Sequence, residues 1–115
     1  MCGRYAIGTS RLPRIENALG IALPALAPRY NVAPTQKVPI VRAAAQRRYE
    51  LVEARWGLIP AWSNEPRTAY ATFNARVETV AAKPAFRAAY RARRCLVPAS
   101  GFYEWREEGG RKQPW

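Results

Sequence analysis

The chain has 115 residues, which is the size of one domain, and its 49% hydrophobic and 23% charged residues are typical of a folded globular protein. It contains no His and no Asp, which excludes Ser-His-Asp and Cys-His catalytic sites, His-ligated metals and magnesium held by Asp. We therefore expect no metal and no cofactor. Any catalysis must use Cys, Glu, Asn, Arg, Tyr or the chain terminus.

Positive charge is the strongest signal in the composition. The chain has 19 Lys and Arg residues against 8 acidic ones, a formal net charge of +11, and 16 of the 19 are Arg. Guanidinium groups bind phosphate through paired hydrogen bonds and stack on bases, so the composition predicts a polyanionic partner such as nucleic acid. A GC-rich genome would also raise the Arg and Ala content, so codon bias is the alternative explanation.

The first half of the chain predicts a short helix, a loop and two strands. Thr9 or Ser10 can cap a helix that ends at Gly20. Prolines then interrupt the sequence, and APRYNVAPTQ is predicted to be an ordered loop held by Tyr30 and Val32. Two strands joined by a turn follow: residues 37–42, residues 49–56 and the turn at residues 44–48.

The second half predicts a loop, an extended segment, a helix and a hairpin. WGLIPAW forms an aromatic loop, and residues 70–77 are predicted to be extended. Pro84 suits the first turn of a helix that buries Phe86, Ala89 and Tyr90. Strands at residues 94–98 and 102–106 precede a Gly-Gly hairpin turn at residues 107–111. Because few residues remain for the return strand, we predict that the chain is the front part of a longer domain.

No segment marks the chain for export or for a membrane. The start, MCGRYAIGTSR, lacks the apolar region of a signal peptide, and the longest apolar stretch, residues 21–28, is short and broken by prolines. We expect a cytoplasmic monomer, associated with the nucleoid when bound to DNA, and no membrane partner. Cys2 and Cys95 are expected to be free thiols, with Cys95 packed in the core.

Cys2 is the most distinctive candidate for chemistry. Cys is small enough for the initiator Met to be removed, so we predict that Met1 is absent from the mature protein and that Cys2 carries an α-amine beside its thiol. An aldehyde would condense with this amine to an imine, and the thiolate would then close a stable five-membered thiazolidine. An abasic site in DNA presents such an aldehyde between phosphates. The alternatives are that Met1 is retained, or that Cys2 is an inert residue of the first strand.

Five sequence blocks occur in order along almost the whole chain: MCGRYA at the start, RYNVAPTQ at residues 29–36, WGLIPAW at residues 56–62, FNARVET at residues 73–79 and CLVPASGFYEW at residues 95–105. In this order and at these spacings they resemble the SRAP family, the SOS-response-associated peptidases, whose eukaryotic relatives bind modified DNA and shield abasic sites.

The resemblance implies catalytic roles for three residues. Cys2 would crosslink covalently to abasic sites in single-stranded DNA and take part in autocatalytic removal of Met1. Asn74, in NARVE, would lie against the nucleophile and hold the α-amine or a sugar hydroxyl. Glu104, in GFYEW, would be the acid/base residue. Family members are longer, and their second half supplies an active-site His that this sequence lacks.

The same resemblance implies DNA contacts from two arginines, an Asn and two tryptophans: Arg4, Asn31, Arg76, Trp62 and Trp105. The guanidinium groups would bind phosphates and the Asn would shape the pocket, although structural roles are equally open for Arg4 and Asn31. The indole rings would stack on bases around the lesion, with burial in the core as the slightly favoured alternative. Glu78 is expected to pair with a nearby Arg.

The predicted elements and the resemblance imply a single α+β domain over residues 1–115, incomplete at its C-terminal end. Its architecture would be a mixed, strongly bent antiparallel sheet or a partly open β-barrel, flanked by short helices. The implied function is abasic-site processing in the SOS response to DNA damage. Two other functions stay open: an Arg-rich module that binds nucleic acid without covalent chemistry, and a cysteine peptidase that acts in trans.

Overall fold

The computed structural model describes residues 2–8, 12–65 and 71–115. These residues form two α-helices, a short 3-10 helix at Ala45–Arg47 and eight strands. In chain order the helices and strands are β1 (Tyr5–Ile7), α1 (Pro13–Leu19), β2 (Arg29–Val32), β3 (Lys37–Ala43), β4 (Tyr49–Arg55), α2 (Pro84–Ala92), β5 (Cys95–Leu96), β6 (Gly101–Phe102), β7 (Trp105–Glu108) and β8 (Arg111–Pro114).

The strands pair in three antiparallel sheets, with the orders β2-β1-β6, β4-β3-β5 and β7-β8. The predicted α+β class is therefore confirmed. Over the described residues, the sheets remain separate and do not close into a barrel. β1, the strand that follows Cys2, is the central strand of the first sheet.

The β3–β4 hairpin is the most regular part of the fold. Its register runs without a break from Lys37 opposite Arg55 to Ala43 opposite Tyr49. The Ala44 N–H donates to the carbonyl of Arg48 over 2.8 Å and closes the turn. The two predicted strands and the turn between them are confirmed. The β-branched residues of β3 explain the result, because they favour the pleated backbone and pack on it.

The hydrophobic core lies between the first two sheets. Its buried members come from β1, β2 and β3 and from the loop before β2: Tyr5, Ile7, Leu26, Val32 and Val38. Trp56, at the end of β4, packs edge-on against the Tyr5 ring, with ring centroids 5.2 Å apart. Full burial of one such side chain stabilises the fold by about 1.5–3 kcal/mol. This core fixes β1, and with it the start of the chain.

Helix α1 ends where the sequence predicts. Gly20 has φ 64°, a left-handed conformation that suits Gly, and its N–H donates to the carbonyl of Glu16. The predicted capping residues Thr9 and Ser10 lie outside the described residues. Leu12 occupies the N-cap position without a capping side-chain hydrogen bond, and Pro13 follows it.

Strand β2 corrects the prediction of a loop at residues 29–32. Val32 is fully buried as expected, but Tyr30 is 64% exposed and does not anchor the segment in the core. The register between β1 and β2 shifts within the pair. Such an irregularity interrupts the strict alternation of faces, so Tyr30 and Val32 need not point to the same side.

Two predictions in the second half are only partly right. Among residues 71–77, which exclude the undescribed Tyr70, no strand forms, and a turn closed by the Thr79 N–H and the Arg76 carbonyl follows. Helix α2 begins at Pro84 as predicted, but none of its residues is buried and Tyr90 is 41% exposed. Its C-terminal end borders an open cavity instead of a packed layer.

The last strands also differ in detail. Cys95 is exposed, so its predicted place in the core is wrong, and β5 is limited to Cys95–Leu96. The strand predicted at residues 102–106 is split, because the Glu104 backbone leaves β1 and exchanges hydrogen bonds with Trp115. The Gly-Gly hairpin is confirmed, with φ 58° at Gly109 and 74° at Gly110. Both cysteines are free thiols.

Candidate functional site

Strand β1 positions Cys2 at the edge of the core. Tyr5 pairs with Val32 on one side and Phe102 on the other, which fixes the backbone three residues after Cys2. Cys2 is half-buried, and its Sγ lies 3.6 Å from the carbonyl oxygen of Arg4. The thiol is thus accessible while the chain that carries it is held firmly.

Cys2 lines an open cavity of about 650 Å³. The walls are mostly apolar and come from β1, β3, the loop after β4, residues 72–74 and the strands β5 and β6. They include Tyr5, Ile40, Trp56, Phe73 and Phe102, and Asn74 supplies an amide. A mostly apolar cavity with a few polar groups is the usual form of a small-molecule or cofactor site. The volume suits a nucleoside-sized group beside the thiol.

Asn74 holds the main chain of Cys2. Its Nδ2 donates to the carbonyl oxygen of Cys2 over 2.7 Å, although 72 residues separate the two positions. The predicted contact between Asn74 and the nucleophile's residue is therefore present. The amide contacts the peptide group and leaves the thiol available for other partners.

The loop after β4 positions Asn74. The Leu58 N–H donates to the carbonyl of Thr72 over 3.2 Å, and the Trp56 indole Nε1 donates to the carbonyl of Phe73 over 3.3 Å. The Trp56 and Phe73 rings also meet edge-on, with centroids 6.3 Å apart. WGLIPAW and FNARVET are thus joined in space, because the first block holds the backbone of the second.

Arg4 and Asn31 bind each other beside Cys2. The Arg4 guanidinium donates from Nη1 to Oδ1 of Asn31 over 2.6 Å, which links the start of β1 to β2. The amide is uncharged, so it orients the guanidinium without neutralising it. The pair can therefore present a fixed positive charge to an anion.

Tyr5 is a cavity residue that the sequence reasoning missed. Its side chain is 4% exposed, and its buried hydroxyl has no hydrogen-bond partner among the described residues. Burial raises the pKa of this hydroxyl above its ordinary value of 10.0. The positive charge of Arg29 opposes the rise, and Cys2 adds a smaller contribution to it. Tyr5 therefore stays protonated at neutral pH as a donor. Tyr5 and Ile7 lie two residues apart in β1 and therefore share a face of the strand, which is the pattern in the sequence that could have predicted the burial of Tyr5.

Six of the predicted site residues are not among those that line the Cys2 cavity: Arg4, Asn31, Glu104, Arg76, Trp62 and Trp105. Arg76 forms an exposed 3.4 Å ion pair with Glu78, as expected for Glu78. Trp62 is 63% exposed and Trp105 is 47% exposed, so the favoured interpretation of both as core residues is wrong. Their faces are open to stacking.

Glu104 lies close to the start of the chain by backbone pairing. The N–H of Tyr103 donates to the carbonyl of Arg4 over 2.8 Å, and Glu104 is the next residue. Its side chain is half-buried. Because the strands are antiparallel, Glu104 lies beside the residues that precede Arg4. It is not among the residues that line the Cys2 cavity.

Within residues 2–8, 12–65 and 71–115, no group of three or more Cys and Glu side chains is arranged to hold a metal ion. None of the helices in these ranges is long and apolar enough to cross a membrane.

Comparison with known proteins agrees with the motifs. The family model described as SOS response associated peptidase (SRAP) matches residues 1–115. Among individual proteins, the chain is 39% identical over 110 residues to the abasic site processing protein YoqW of Bacillus subtilis, which covers 92% of this chain and 48% of YoqW. It is 33% identical over 124 residues to the abasic site processing protein YedK of Escherichia coli, which covers 99% of this chain and 52% of YedK.

A vertebrate relative and a solved structure are also similar. The chain is 36% identical over 99 residues to the abasic site processing protein HMCES of Xenopus tropicalis, which covers 76% of this chain and 30% of HMCES. A crystal structure of a Bordetella bronchiseptica protein superposes with a TM-score of 0.74 at 25% identity, over 98% of this chain and 55% of that one. The chain spans 30–55% of the length of these relatives.

Proposed function

The chain belongs to the SOS response associated peptidase (SRAP) family, and from this premise we propose that it processes abasic sites in DNA through a covalent bond to Cys2. The observation that carries the proposal is the 2.7 Å hydrogen bond from Asn74 to the Cys2 carbonyl, at the wall of the cavity that both residues line. Relatives that are 39% and 33% identical to the chain are named abasic site processing proteins.

The proposed reaction begins at the α-amine of Cys2 after Met1 is removed. The amine attacks C1′ of the ring-opened deoxyribose, and loss of water gives an imine. The Cys2 thiolate then adds to the imine carbon, which forms the C–S bond and returns the electron pair to nitrogen, where a proton is taken up. The product is a thiazolidine that joins protein and DNA, and no oxidant or reductant is consumed.

Neighbouring groups support this chemistry. Asn74 fixes the peptide plane of Cys2, so the amine and thiol approach one face of the cavity with little loss of rotational freedom. Glu104, half-buried and next to Tyr103 on the adjoining backbone, is the proposed proton donor and acceptor for loss of water. Removal of Met1 by the same Cys2 is part of the proposal.

Charge and exposed aromatic rings support single-stranded DNA as the substrate. The oriented guanidinium of Arg4 offers a phosphate contact near Cys2, and Arg76, which is exposed and paired with Glu78, offers a second one two residues after Asn74 in the chain. Trp62 and Trp105 present faces on which unpaired bases can stack. The formal net charge of +11 favours association with the phosphate backbone.

Denaturing gels with an abasic single-stranded oligonucleotide test the proposal. The wild-type chain should give a shifted band that survives heat and detergent, and Cys2→Ala should give none. With borohydride present, a Cys2→Ala chain prepared without Met1, as its intact mass must show, should recover a band, because its α-amine still forms an imine that the reagent reduces. Cys95→Ala removes the other thiol and should still give a crosslinked band, because it retains Cys2.

Two outcomes would contradict the proposal. Equal crosslinking by wild type and Cys2→Ala without borohydride would remove the thiol from the reaction. Salt-sensitive binding by both proteins, with no crosslink under either condition, would favour a non-covalent nucleic-acid-binding module. Intact-mass measurement of the purified chain checks the premise that Met1 is absent, and cleavage of an added peptide would indicate a peptidase that acts in trans.

A further inference from the structure

A second cavity, of about 850 Å³, lies between the turn of the β3–β4 hairpin, the end of α2 and the start of β5. It is separate from the Asn74 side of the Cys2 cavity, and four arginines line it: Arg42, Arg48, Arg93 and Arg94. None of them belongs to the motifs that suggested the Cys2 site. We refer to this region as the basic cavity.

The positive charge of the basic cavity is mostly uncompensated. Glu50 is the acidic residue on its wall, and its Oε1 is bound to Nε of Arg42 over 2.8 Å. Arg48, Arg93 and Arg94 form no salt bridge with another described residue. Three positive charges on one concave surface repel one another, so an anion bound there would relieve this repulsion.

Two further features suit a nucleic-acid strand. The Arg94 guanidinium lies 5.8 Å from the centroid of the Tyr90 ring, so a planar cation and an aromatic ring flank the end of α2. Partial desolvation raises the pKa of the Cys95 thiol above its ordinary value of 9.0, although the residue as a whole is exposed. The thiol therefore adds no negative charge at neutral pH.

Cys95 connects the two cavities, because it lies on the wall of both. Building on the proposed function, we propose that the basic cavity binds the phosphodiester backbone of the DNA strand that flanks an abasic site held at Cys2. The strand would pass across β5, with its phosphates paired to Arg48, Arg93 and Arg94. The volume accommodates more than one phosphate, which a chain of phosphodiesters can supply and a single small anion cannot.

Salt-dependent binding to undamaged single-stranded DNA tests this inference in a Cys2→Ala background, where no thiazolidine contributes. Arg93→Ala/Arg94→Ala removes two charges from the basic cavity, and Arg87→Ala/Arg91→Ala removes two exposed charges from α2 outside it.

Binding is measured by fluorescence anisotropy with an oligonucleotide of about 20 nucleotides. The Arg93→Ala/Arg94→Ala variant should reduce the slope of log K against log salt by about 1.4. Its affinity should fall about tenfold near 0.1 M salt, and the control's by less than about threefold. Equal losses in the two variants would overturn the proposal.

A charge-restoring variant and a competition experiment test whether the arginines bind phosphates of the DNA backbone. Arg93→Lys/Arg94→Lys should recover most of the salt slope, since the charge is restored, and failure to do so with an unchanged circular dichroism spectrum would contradict a phosphate site. Inorganic phosphate should compete no better than chloride at equal ionic strength. Stronger competition that depends on Arg93 and Arg94 would assign the cavity to a small phosphate ligand and overturn the backbone assignment.

Crosslinking separates failure of this inference from failure of the proposed function. In the chain with Cys2 intact, Arg93→Ala/Arg94→Ala should slow crosslinking to a long abasic oligonucleotide but leave crosslinking to an abasic trinucleotide unchanged. Loss of both reactions would mean that the arginines act on the Cys2 site itself, contrary to the proposal. Absence of any crosslink in the parent chain would count against the proposed function alone.

Discussion

Residues 2–60 and residues 71–115 are built in different ways. The first region contains the buried cluster of β1, β2 and β3 and the continuous seven-residue pairing of β3 with β4. In the second region, Pro98 is the buried residue among those described, and every residue of β7 and β8 is exposed. The first region therefore stabilises the fold and fixes Cys2, whereas the second supplies one wall of the Cys2 cavity with little core of its own.

Hydrophobic truncation should give the largest difference between the regions. Ile7→Ala removes a 1% exposed side chain from the cluster and should lower the free energy of unfolding by about 2–4 kcal/mol. Leu96→Ala, at a side chain that is 48% exposed, should cost less than about 1 kcal/mol. Urea denaturation measures both, and equal losses would mean that the second region carries as much of the core as the first.

A smaller effect should follow from cutting one of the hydrogen bonds that join the regions. Trp56→Phe keeps an aromatic ring but leaves the Phe73 carbonyl without its 3.3 Å donor, which should cost about 1–2 kcal/mol. Because this bond steadies the segment that bears Asn74, the rate of crosslinking should fall as well. Trp62→Phe, at an exposed indole that makes no such bond to residues 72–74, is the control for stability. An unchanged crosslinking rate in Trp56→Phe would show that Asn74 is held by other contacts.

The smallest change should come from the buried hydroxyl of Tyr5. Tyr5→Phe removes a polar atom that has no described partner, so stability at pH 7 should stay the same or rise by up to about 1 kcal/mol. Because the pKa of Tyr5 is raised in the folded state, its stabilising contribution is complete below the unfolded pKa of 10.0 and is lost as pH rises through the folded value. Wild type should therefore lose more stability than Tyr5→Phe above pH 10.0.

Urea midpoints at neutral and strongly alkaline pH measure this difference. Tyr30→Phe removes the hydroxyl of an exposed Tyr and serves as the matched control. A marked loss of stability in Tyr5→Phe at neutral pH would instead indicate that the hydroxyl has a hydrogen-bond partner.

The sequence predicted the features that depend on local chemistry. The β3–β4 hairpin, the end of α1 at Gly20, the start of α2 at Pro84 and the Gly-Gly turn all follow from short-range backbone preferences. Burial was predicted less well, because it depends on which elements meet. Tyr30, Tyr90 and Cys95 were expected to contribute to the packed interior, but all three are exposed, because the described residues provide no layer that covers them.

The candidate site shows the same division. The resemblance of the motifs named Cys2, Asn74, Arg4 and Asn31 as separate candidates, and the structure links Asn74 to Cys2 and Arg4 to Asn31 around β1. It could not identify Tyr5 or the basic cavity. Tyr5 acquires its significance from burial under Trp56, and the basic cavity combines arginines from a hairpin turn and a helix end that are about 50 residues apart in the sequence.

The hydrogen bond from Asn74 has a consequence for protein chemistry. The bond is made to the main-chain oxygen of residue 2, an atom that every amino acid has. The position of this backbone therefore does not depend on the side chain at residue 2. The side chain that the proposed reaction uses is therefore interchangeable in principle. Semisynthesis could place selenocysteine, penicillamine or a hydrazine-bearing residue at position 2. The products would share one scaffold and differ in their rates of reaction with carbonyl compounds.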